Sequence, residues 1–379
     1  LVERLAVYPS HLKDLDRWID KEIQPLVHSE LDGEGFVRRE NWSAGAVLEP
    51  PAGEINRVSN IPSRAAPSDL SSILDRATKG ERLSESDIVR LFKARGDELT
   101  HIYQAADRAR RELVGDVVTY CVNRNINYNN VCYFKCQFCA FYKGKMSENL
   151  RGRPYDLSPD EIMRRTREAF ERGATEVCLQ GGIHPEYTGQ TYLDICHTIK
   201  QVVPQMHIHA FSPLEVWQGA KTLGKSLTEY LGELKEAGLG TLPGTAAEIL
   251  DDEVRATLCP DKINTEQWLE VMRAAHSVGF NTTATIMYGH IEQYEHVARH
   301  LLRIRDLQEE TGGFTEFVIL PFIHMEAPMY LKGGSRKGPT FREALLLHAL
   351  SRLVLNPLIK NIQASWTKLG HEGVKACLN

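Results

Sequence analysis

The sequence predicts an α/β protein built on a TIM-type (βα) barrel, with an irregular and helical extension at its N-terminus. Two observations predict this fold. Short apolar strands alternate with amphipathic helices from residue 117 onward, and polar or glycine-rich clusters come just after the strands. The length of this part also suits a barrel of about 250 residues. A doubly wound open sheet is the alternative.

The N-terminal extension is predicted in two parts. Residues 1–80 are punctuated by proline, glycine and serine and are interpreted as an irregular connector. Residues 81–116 are interpreted as helical, because Ser84 and Asp87 have the spacing of a capping box and apolar residues follow at helical intervals. Gly96 predicts either two helices here or one kinked helix.

Seven strands are predicted in the barrel, which is assigned to residues 117–379. Ser158, Pro159 and Glu161 have the pattern of a helix start, and later helices end at glycine immediately before a strand. Because the chain begins at Leu1 and an eighth strand is lacking, we expect a fragment clipped at both ends, with the last barrel strand missing. The strands are expected at 117–122, 175–179, 206–211, 240–242, 281–287, 315–320 and 361–365.

Composition excludes several classes of protein. Hydrophobic residues make up 42% and charged residues 25% of the 379 residues, as in ordinary globular chains with a sizeable core. The net charge is −5 and there is no basic block, so a nucleic-acid partner is not expected. No apolar run reaches about 18 residues and no secretory signal is recognisable, which predicts a cytoplasmic protein without a membrane span.

Three of the eight cysteines, Cys132, Cys136 and Cys139, form C-x3-C-x2-C after the first predicted strand. Three thiolates so close in sequence can converge on one metal centre. Structural zinc and electron-transfer clusters usually take four protein ligands, whereas a cubane held by three cysteines leaves one iron open to a ligand. A zinc site completed by a distant histidine is the alternative. Aromatic side chains are expected to shield the centre from water, at Tyr133, Phe134, Phe138, Phe141 and Tyr142.

This motif, with Phe138 directly before its third cysteine, resembles that of the radical S-adenosylmethionine (SAM) superfamily. The resemblance implies that Cys132, Cys136 and Cys139 hold a 4Fe-4S cluster, whose open iron is chelated by the amino and carboxylate groups of SAM. An electron from the cluster would cleave SAM to methionine and a 5′-deoxyadenosyl radical. Such chemistry belongs to the cofactor, and the barrel positions and shields it.

Further segments resemble the tyrosine-dependent half of deazaflavin (FO) synthase, from about residue 80 to the end. They are Asn125-Ile-Asn-Tyr-Asn-Asn-Val-Cys, Gln180-Gly-Gly-Ile-His-Pro, His207-Ile-His-Ala-Phe-Ser-Pro-Leu-Glu, Leu242-Pro-Gly-Thr-Ala-Ala-Glu, Met287-Tyr-Gly-His-Ile-Glu and Pro321-Phe-Ile-His-Met-Glu-Ala-Pro. The resemblance implies transfer of the 4-hydroxybenzyl group of L-tyrosine to 5-amino-6-(D-ribitylamino)uracil.

The same resemblance implies two protein partners: an electron-donating reductase and a second, ring-closing radical SAM unit, fused or separate. The segment around Tyr8 resembles the connector of fused versions, so a fragment of a fused FO synthase is expected. Three alternatives remain. The chain could be a radical SAM enzyme of the futalosine route to menaquinone, a zinc-binding barrel hydrolase, or an inactive subunit that braces a partner.

Site roles follow from the resemblance residue by residue. The methionyl end of SAM is expected at Gly181 and Gly182, and further contacts with the cofactor at Phe138, Ser212 and Glu248. Ser212, with Glu215, could equally be a routine helix start. Residues expected to grip tyrosine or the uracil and to move protons are His184, Tyr288, His290, His324 and Glu326, together with Glu292. His207 and His209 are interpreted first as polar residues of the barrel interior, and Arg299 as part of a solvated helix face.

Overall fold

The computed structural model describes residues 7–140 and 153–379. Sixteen α-helices lie in these ranges, besides a 3-10 helix at Pro9–Asp14. The helices are α1 Leu15–Trp18, α2 Gln24–Ser29, α3 Ala52–Ser59, α4 Ser68–Thr78, α5 Glu85–Phe92, α6 Asp97–Val114, α7 Pro159–Glu171, α8 Gly189–Val202, α9 Pro213–Leu223, α10 Leu227–Glu236, α11 Asp252–Leu258, α12 Thr265–Ser277, α13 Tyr294–Thr311, α14 Pro328–Leu331, α15 Phe341–Leu355 and α16 Trp366–Leu378.

A single parallel sheet of seven strands carries the fold, in the order β1 to β7. Each strand pairs with the next along the chain, and within the described residues β1 and β7 do not pair with each other. The predicted α/β fold and the count of seven strands are therefore confirmed, and the open sheet is that of a partial barrel. The strands are β1 Asn123–Asn129, β2 Glu176–Gly181, β3 His207–His209, β4 Thr241–Leu242, β5 Asn281–Tyr288, β6 Phe314–Pro321 and β7 Asn361–Ala364.

The first strand is the one that sequence reasoning misplaced. The apolar run 117–122 is an exposed irregular segment, with Val117 75% and Tyr120 87% exposed, and the strand is the asparagine-rich run that follows it. Ile126 and Tyr128 bury one face of β1 against helices, whereas its asparagines lie on the other face. The prediction followed β-propensity, which is overridden here because one face of the strand is polar.

The N-terminal segment contains more regular structure than the expected irregular connector. Within residues 1–80, α4 alone buries Leu70, Ile73 and Leu74 against the core. The capping box between Ser84 and Asp87 is present at the start of α5. Gly96, at φ +58°, separates α5 from α6, so the two-helix interpretation is the correct one.

The two faces of the sheet differ sharply in polarity. Toward the helices, Ile126, Val177, Leu179 and Ile208 are fully buried among apolar helix residues. The alternate positions of the same strands face the barrel lumen and carry Asn125, Asn127, Cys178, Gln180, His207 and His209, none of which is fully buried. Because bulky branched side chains usually fill a TIM barrel, a polar and accessible lumen indicates that something other than protein occupies it.

In the described ranges, every helix is too short or too polar to cross a lipid bilayer.

Candidate active site

The loop that carries Cys132, Cys136 and Cys139, called the cysteine loop below, lies at the carboxyl end of the strands. Backbone hydrogen bonds join it to the segments that follow β2, β4 and β6. The Tyr133 amide donates to the carbonyl of Ile183, beyond β2, over 3.1 Å, and the Gln137 amide to that of Leu258, beyond β4, over 3.0 Å. The Gln137 carbonyl accepts from the Met329 amide, beyond β6, at 2.8 Å. The backbone of the loop is therefore fixed at the end of the sheet where parallel α/β folds place their chemistry.

All three cysteines of the loop are free thiols; Cys136 is buried, and Cys132 and Cys139 are half-buried. Burial raises the pKa of the Cys136 thiol to about 12, with Lys262 acting in the opposite direction, so a cationic centre is needed to hold it as a thiolate.

The spacing of the cysteine sulfurs bears on which metal centre they could hold. Among the described residues, the one set of three metal-ligating side chains within 4.8 Å of one another is Asp251, Glu253 and His296, so at least two of the three cysteine sulfurs lie more than 4.8 Å apart. Ligands of a single zinc ion, each about 2.3 Å from the metal, sit closer together than this limit. The wider spacing fits a cubane, which presents a separate iron to each thiolate.

Aromatic residues flank the cysteine loop as expected, to different degrees. Phe134 is buried and stacks on Tyr133, with ring centroids 4.4 Å apart, while Tyr133 itself is 46% exposed. Phe138 is half-buried and packs against the core. Phe141 and Tyr142, also predicted to shield the centre, lie outside the described residues.

Gly181 and Gly182 lie directly beside the loop, and the structure gives each a packing reason to be glycine. A Cβ at Gly181 would come within 2.3 Å of the Tyr128 ring, and one at Gly182 within 2.2 Å of the Val131 carbonyl oxygen. The Asn129 carboxamide clamps Gly182 by accepting from its amide at 3.0 Å and donating to its carbonyl at 3.1 Å. A SAM contact by the pair stays a prediction.

Glu248 lies opposite the cysteine loop and pairs with a lysine that sequence reasoning did not single out. The Lys262 ammonium donates to the Glu248 carboxylate at 2.9 Å and lies 5.1 Å from the ring centroid of Phe138. Both side chains of the pair are 11% exposed. Glu248 adopts φ +47°, a left-handed conformation that is uncommon for a residue other than glycine and is often found at functional sites.

Ser212 and Glu215 use their side chains within the protein. They form the capping box of α9, in which the Ser212 amide and hydroxyl donate to Glu215 at 2.6 and 2.5 Å. The Glu215 carboxylate also accepts from the Tyr128 hydroxyl, and burial raises its pKa. These contacts account for both residues as a helix start, and the predicted cofactor contact of Ser212 remains untested.

His290 is fully buried, and both of its ring nitrogens are engaged. Nε2 donates to the Met287 carbonyl at 3.0 Å, and Nδ1 accepts from the Ile291 amide at 2.8 Å. Burial lowers the pKa of His290, which favours the neutral ring required by this arrangement. Its neighbour Glu292 accepts from two backbone amides and pairs with Arg336. The geometry of both is that of structural residues, and their catalytic roles remain predictions.

Tyr288 lies on the face of β5 that packs against the helices. It shares the parity of Ala284 and Ile286, whereas the alternate position, Met287, is the half-buried one. Its hydroxyl is buried without a hydrogen-bond partner in the described structure. The prediction that Tyr288 contacts substrate is therefore not supported by its orientation.

His324 and Glu326 lie on the loop after β6, which bonds the cysteine loop through Met329. Burial, with Lys337 and Arg38 nearby, lowers the pKa of His324 to about 4, so the ring is neutral at physiological pH. Its Nδ1 is buried and has no hydrogen-bond partner among the described residues, which leaves it available to a ligand. Glu326 is half-buried.

His184 lies on the loop after β2, where its Nδ1 accepts from the Glu186 amide at 3.2 Å and its ring packs 5.0 Å from that of Tyr187. Arg299, on α13, forms ion pairs with Asp251 and Glu253, as expected for a helix face.

Sequence reasoning did not single out four residues at the carboxyl end of the sheet. Lys262 lies in the connection between α11 and α12 and Lys368 lies on α16, and a lysine at either place is usually expected on the solvated surface. Burial lowers the pKa of Lys368 to about 8, although Glu248 opposes the shift. Asn129 was quoted within a motif without a role. Thr245 carries a buried hydroxyl without a hydrogen-bond partner in the described structure, and its place within Pro-Gly-Thr-Ala-Ala-Glu was the one available signal.

The geometry defines a class of protein, namely an open parallel barrel with three cysteines grouped at the carboxyl end of its strands. A family model described as the radical SAM superfamily matches residues 126–304. The chain therefore belongs to this superfamily, whose members generally use a 4Fe-4S cluster and SAM.

Within that superfamily the chain belongs to the FO synthase family. It is 48% identical over 301 residues to the 5-amino-6-(D-ribitylamino)uracil–L-tyrosine 4-hydroxyphenyl transferase of Methanocaldococcus jannaschii, covering 79% of this chain and 82% of that protein. It is 40% identical over 417 residues to the FO synthase of Streptomyces coelicolor, covering 100% of this chain and 48% of that protein. The chain thus spans about half the length of that FO synthase.

Solved structures agree on the fold. Methylornithine synthase matches with a TM-score of 0.61 at 19% identity, covering 81% of this chain and 82% of that one. The FeFe-hydrogenase maturase of Carboxydothermus hydrogenoformans matches with a TM-score of 0.59 at 16% identity, covering 82% of this chain and 68% of that one.

Proposed function

We propose that this chain is a radical SAM transferase that cleaves L-tyrosine and adds its 4-hydroxybenzyl group to 5-amino-6-(D-ribitylamino)uracil, on the way to a deazaflavin. The observation that carries the proposal is the 48% identity to a relative named for this transfer, over 82% of that relative's length. The three-cysteine loop at the carboxyl end of the sheet supports it.

Cys132, Cys136 and Cys139 would hold the cluster, which with SAM supplies a 5′-deoxyadenosyl radical when bound. The residues of the chain bind, orient and exclude water. Phe134 and Phe138 shield the loop, and the Gly181–Gly182 backbone, held by Asn129, lets the Tyr128 ring and the Val131 carbonyl pack directly beside the loop.

Glu248 and Lys262 would meet the charged groups of SAM or of tyrosine. The Lys262 ammonium uses one of its three protons on Glu248 within the described structure, and Glu248 keeps a second carboxylate oxygen. His324, neutral and with an unpartnered Nδ1, would accept a proton or a hydrogen bond from substrate. Two further partners are proposed with this activity: an electron-donating reductase and a ring-closing radical SAM unit, fused or separate.

The proposal is tested by anaerobic reconstitution with iron and sulfide, followed by incubation with SAM, reductant, tyrosine and the ribityl-uracil. Mass spectrometry is expected to detect 5′-deoxyadenosine, the hydroxybenzyl adduct and 2-iminoacetate. Formation of 5′-deoxyadenosine only with a substrate of the futalosine route would reject the substrate assignment and keep the superfamily chemistry. A colourless protein that loads zinc instead of iron would reject both.

A further inference from the structure

The lumen of the barrel carries a continuous row of polar side chains that none of the roles above uses. Strand register aligns Asn125 with Cys178, Cys178 with His209, and His209 with Thr241. One step toward the carboxyl ends, Asn127 is level with Gln180. We refer to these six residues as the lumen row.

The members of the lumen row are hydrogen-bonded to one another only in part. The Thr241 hydroxyl bridges two imidazoles, 2.7 Å from Nδ1 of His209 and 2.9 Å from Nε2 of His207. The Asn125 carboxamide donates to that of Asn127 at 3.2 Å. Since each carboxamide and imidazole has more donors and acceptors than these bonds use, hydrogen-bonding capacity is left facing the lumen.

The lumen row is electrically neutral at physiological pH. The six residues include no carboxylate, ammonium or guanidinium group, and burial lowers the pKa of His209 to about 4, which keeps its ring uncharged. On the same face, one step toward the amino ends of the strands, the Glu176 carboxylate lies 3.8 Å from Nε2 of His207, so the charge nearest to the lumen row is negative and can accept from a hydroxyl but would repel a carboxylate. L-Tyrosine and SAM both carry an ammonium and a carboxylate, which call for charged partners. Such partners lie by the cysteine loop, in Glu248 and Lys262. A neutral ligand in which every polar group both donates and accepts fits the lumen row better.

We propose that the lumen row binds the ribityl chain of the uracil substrate, placing its hydroxyls among the carboxamides, the His209 imidazole and the Thr241 hydroxyl. This inference rests on the proposed function for the identity of the polyol. It divides the two substrates by charge: the amino acid lies at the cysteine end of the strands, and the polyol lies deeper in the lumen.

The test compares two uracils on the reconstituted protein with SAM bound: 6-(D-ribitylamino)uracil and 6-(methylamino)uracil, which lacks the polyol. Equilibrium dialysis measures the dissociation constant of each. Thr241→Val and Gln180→Leu are each expected to weaken binding of the ribityl compound about tenfold, the effect of about one lost hydrogen bond, and to change binding of the methyl compound less than twofold.

Thr282→Val is the matched control. Thr282 lies on the helix-facing side of β5, and its hydroxyl contacts Nε2 of His276 at 2.8 Å, so the same Thr–His contact is removed outside the lumen. This variant is expected to bind both compounds as the unaltered protein does.

Equal weakening of both compounds by the lumen variants, or no weakening of either, would overturn the inference. If the unaltered protein forms the tyrosine adduct while the lumen variants keep full affinity for the ribityl compound, the proposed function stands and the inference alone fails. If the unaltered protein binds neither uracil and forms no adduct, both fail.

Discussion

Two buried groups of ion-paired side chains in this protein have similar chemistry, but they differ in how many of their hydrogen-bond donors and acceptors are used. At the cysteine loop, Lys262 makes one hydrogen bond, to Glu248, within the described structure. Behind β5 and β6, Arg336 binds both oxygens of Glu343 at 3.0 and 3.3 Å and binds Glu292 at 2.9 Å. The Glu343 carboxylate also accepts from Gly33, which ties the N-terminal segment to the barrel.

The difference separates a structural group from a binding site. We refer to Arg336, Glu343 and Glu292 as the clamp. A buried charge whose donors and acceptors are all satisfied can only hold segments together, and here it joins the N-terminal segment to the loops after β5 and β6. A buried pair with unused donors and acceptors has capacity for a ligand. Glu292 and His290 have the contacts of the first group, and the roles predicted for them from their positions after strands stay predictions.

Replacing one cysteine of the loop should have the greatest consequence, because it should remove the cluster while the rest of the fold stays intact. Cys136→Ala is expected to remove the cluster almost entirely and to abolish 5′-deoxyadenosine, because two thiolates do not hold a cubane. Iron and sulfide content per folded chain measures the loss. Cys259→Ala is the matched control: Cys259 is equally buried at this end but outside the motif, and its variant should load normally. Comparable iron loss in the two variants would contradict the assignment.

Replacing Arg336 should lower the stability of the fold without removing the cluster. Arg336→Met is expected to lower the free energy of unfolding by about 3–5 kcal/mol, because it leaves the carboxylates of Glu292 and Glu343 buried without their cation. Urea unfolding measures the change, and the folded fraction should still bind its cluster. Arg82→Met, which removes an exposed pair with Asp306, should cost less than about 1 kcal/mol. A loss no larger than that of the control would show that the clamp does not stabilise the fold.

A smaller effect tests whether Lys262 acts electrostatically on the cysteine loop. Lys262→Gln removes a positive charge beside Phe138 and is expected to make the midpoint potential of the cluster more negative, on the order of tens of millivolts. A redox titration followed by electron paramagnetic resonance measures it. Lys225→Gln, which alters an exposed pair with Glu233, should leave the potential unchanged. An unchanged potential in both variants would make Lys262 a packing residue.

Sequence patterns predicted the fold better than they predicted the contacts of the site. The positions of β2 and of β5 to β7 followed from apolar alternation and turn signals, and the cysteine motif located the centre. β1 was misplaced, because its asparagines look like a loop until the lumen is known to be polar. Lys262 could not be found, because its burial depends on the fold bringing α11 and the segment after it against Phe138.

The orientation of residues after strands was equally invisible in the sequence. Tyr288 and His324 both belong to polar clusters at strand ends. Tyr288 nevertheless faces the helices, whereas the His324 ring packs 4.4 Å from that of Tyr330 and its Nδ1 has no partner in the described structure. One residue of register decides which face of the sheet a side chain occupies, and local sequence alone does not set that register.

The clamp should also make the stability of the fold depend on acid, through Glu343. Burial alone would raise the pKa of Glu343, but Arg336 and Arg342 outweigh it and hold the pKa at about 2, below the usual 4.5. The carboxylate therefore contributes fully to stability above about pH 4.5, and this contribution is lost as the pH falls toward 2, by about 3 kcal/mol in total. Urea unfolding of the cluster-free chain between about pH 6 and pH 3 measures the part of the loss that lies above pH 3.

Glu343→Gln should flatten this dependence of the free energy of unfolding on pH. Glu215→Gln should not, because the pKa of Glu215 is raised in the folded state and its protonation favours folding as the pH falls. An equal flattening by both variants would mean that the clamp is not what makes the fold sensitive to acid.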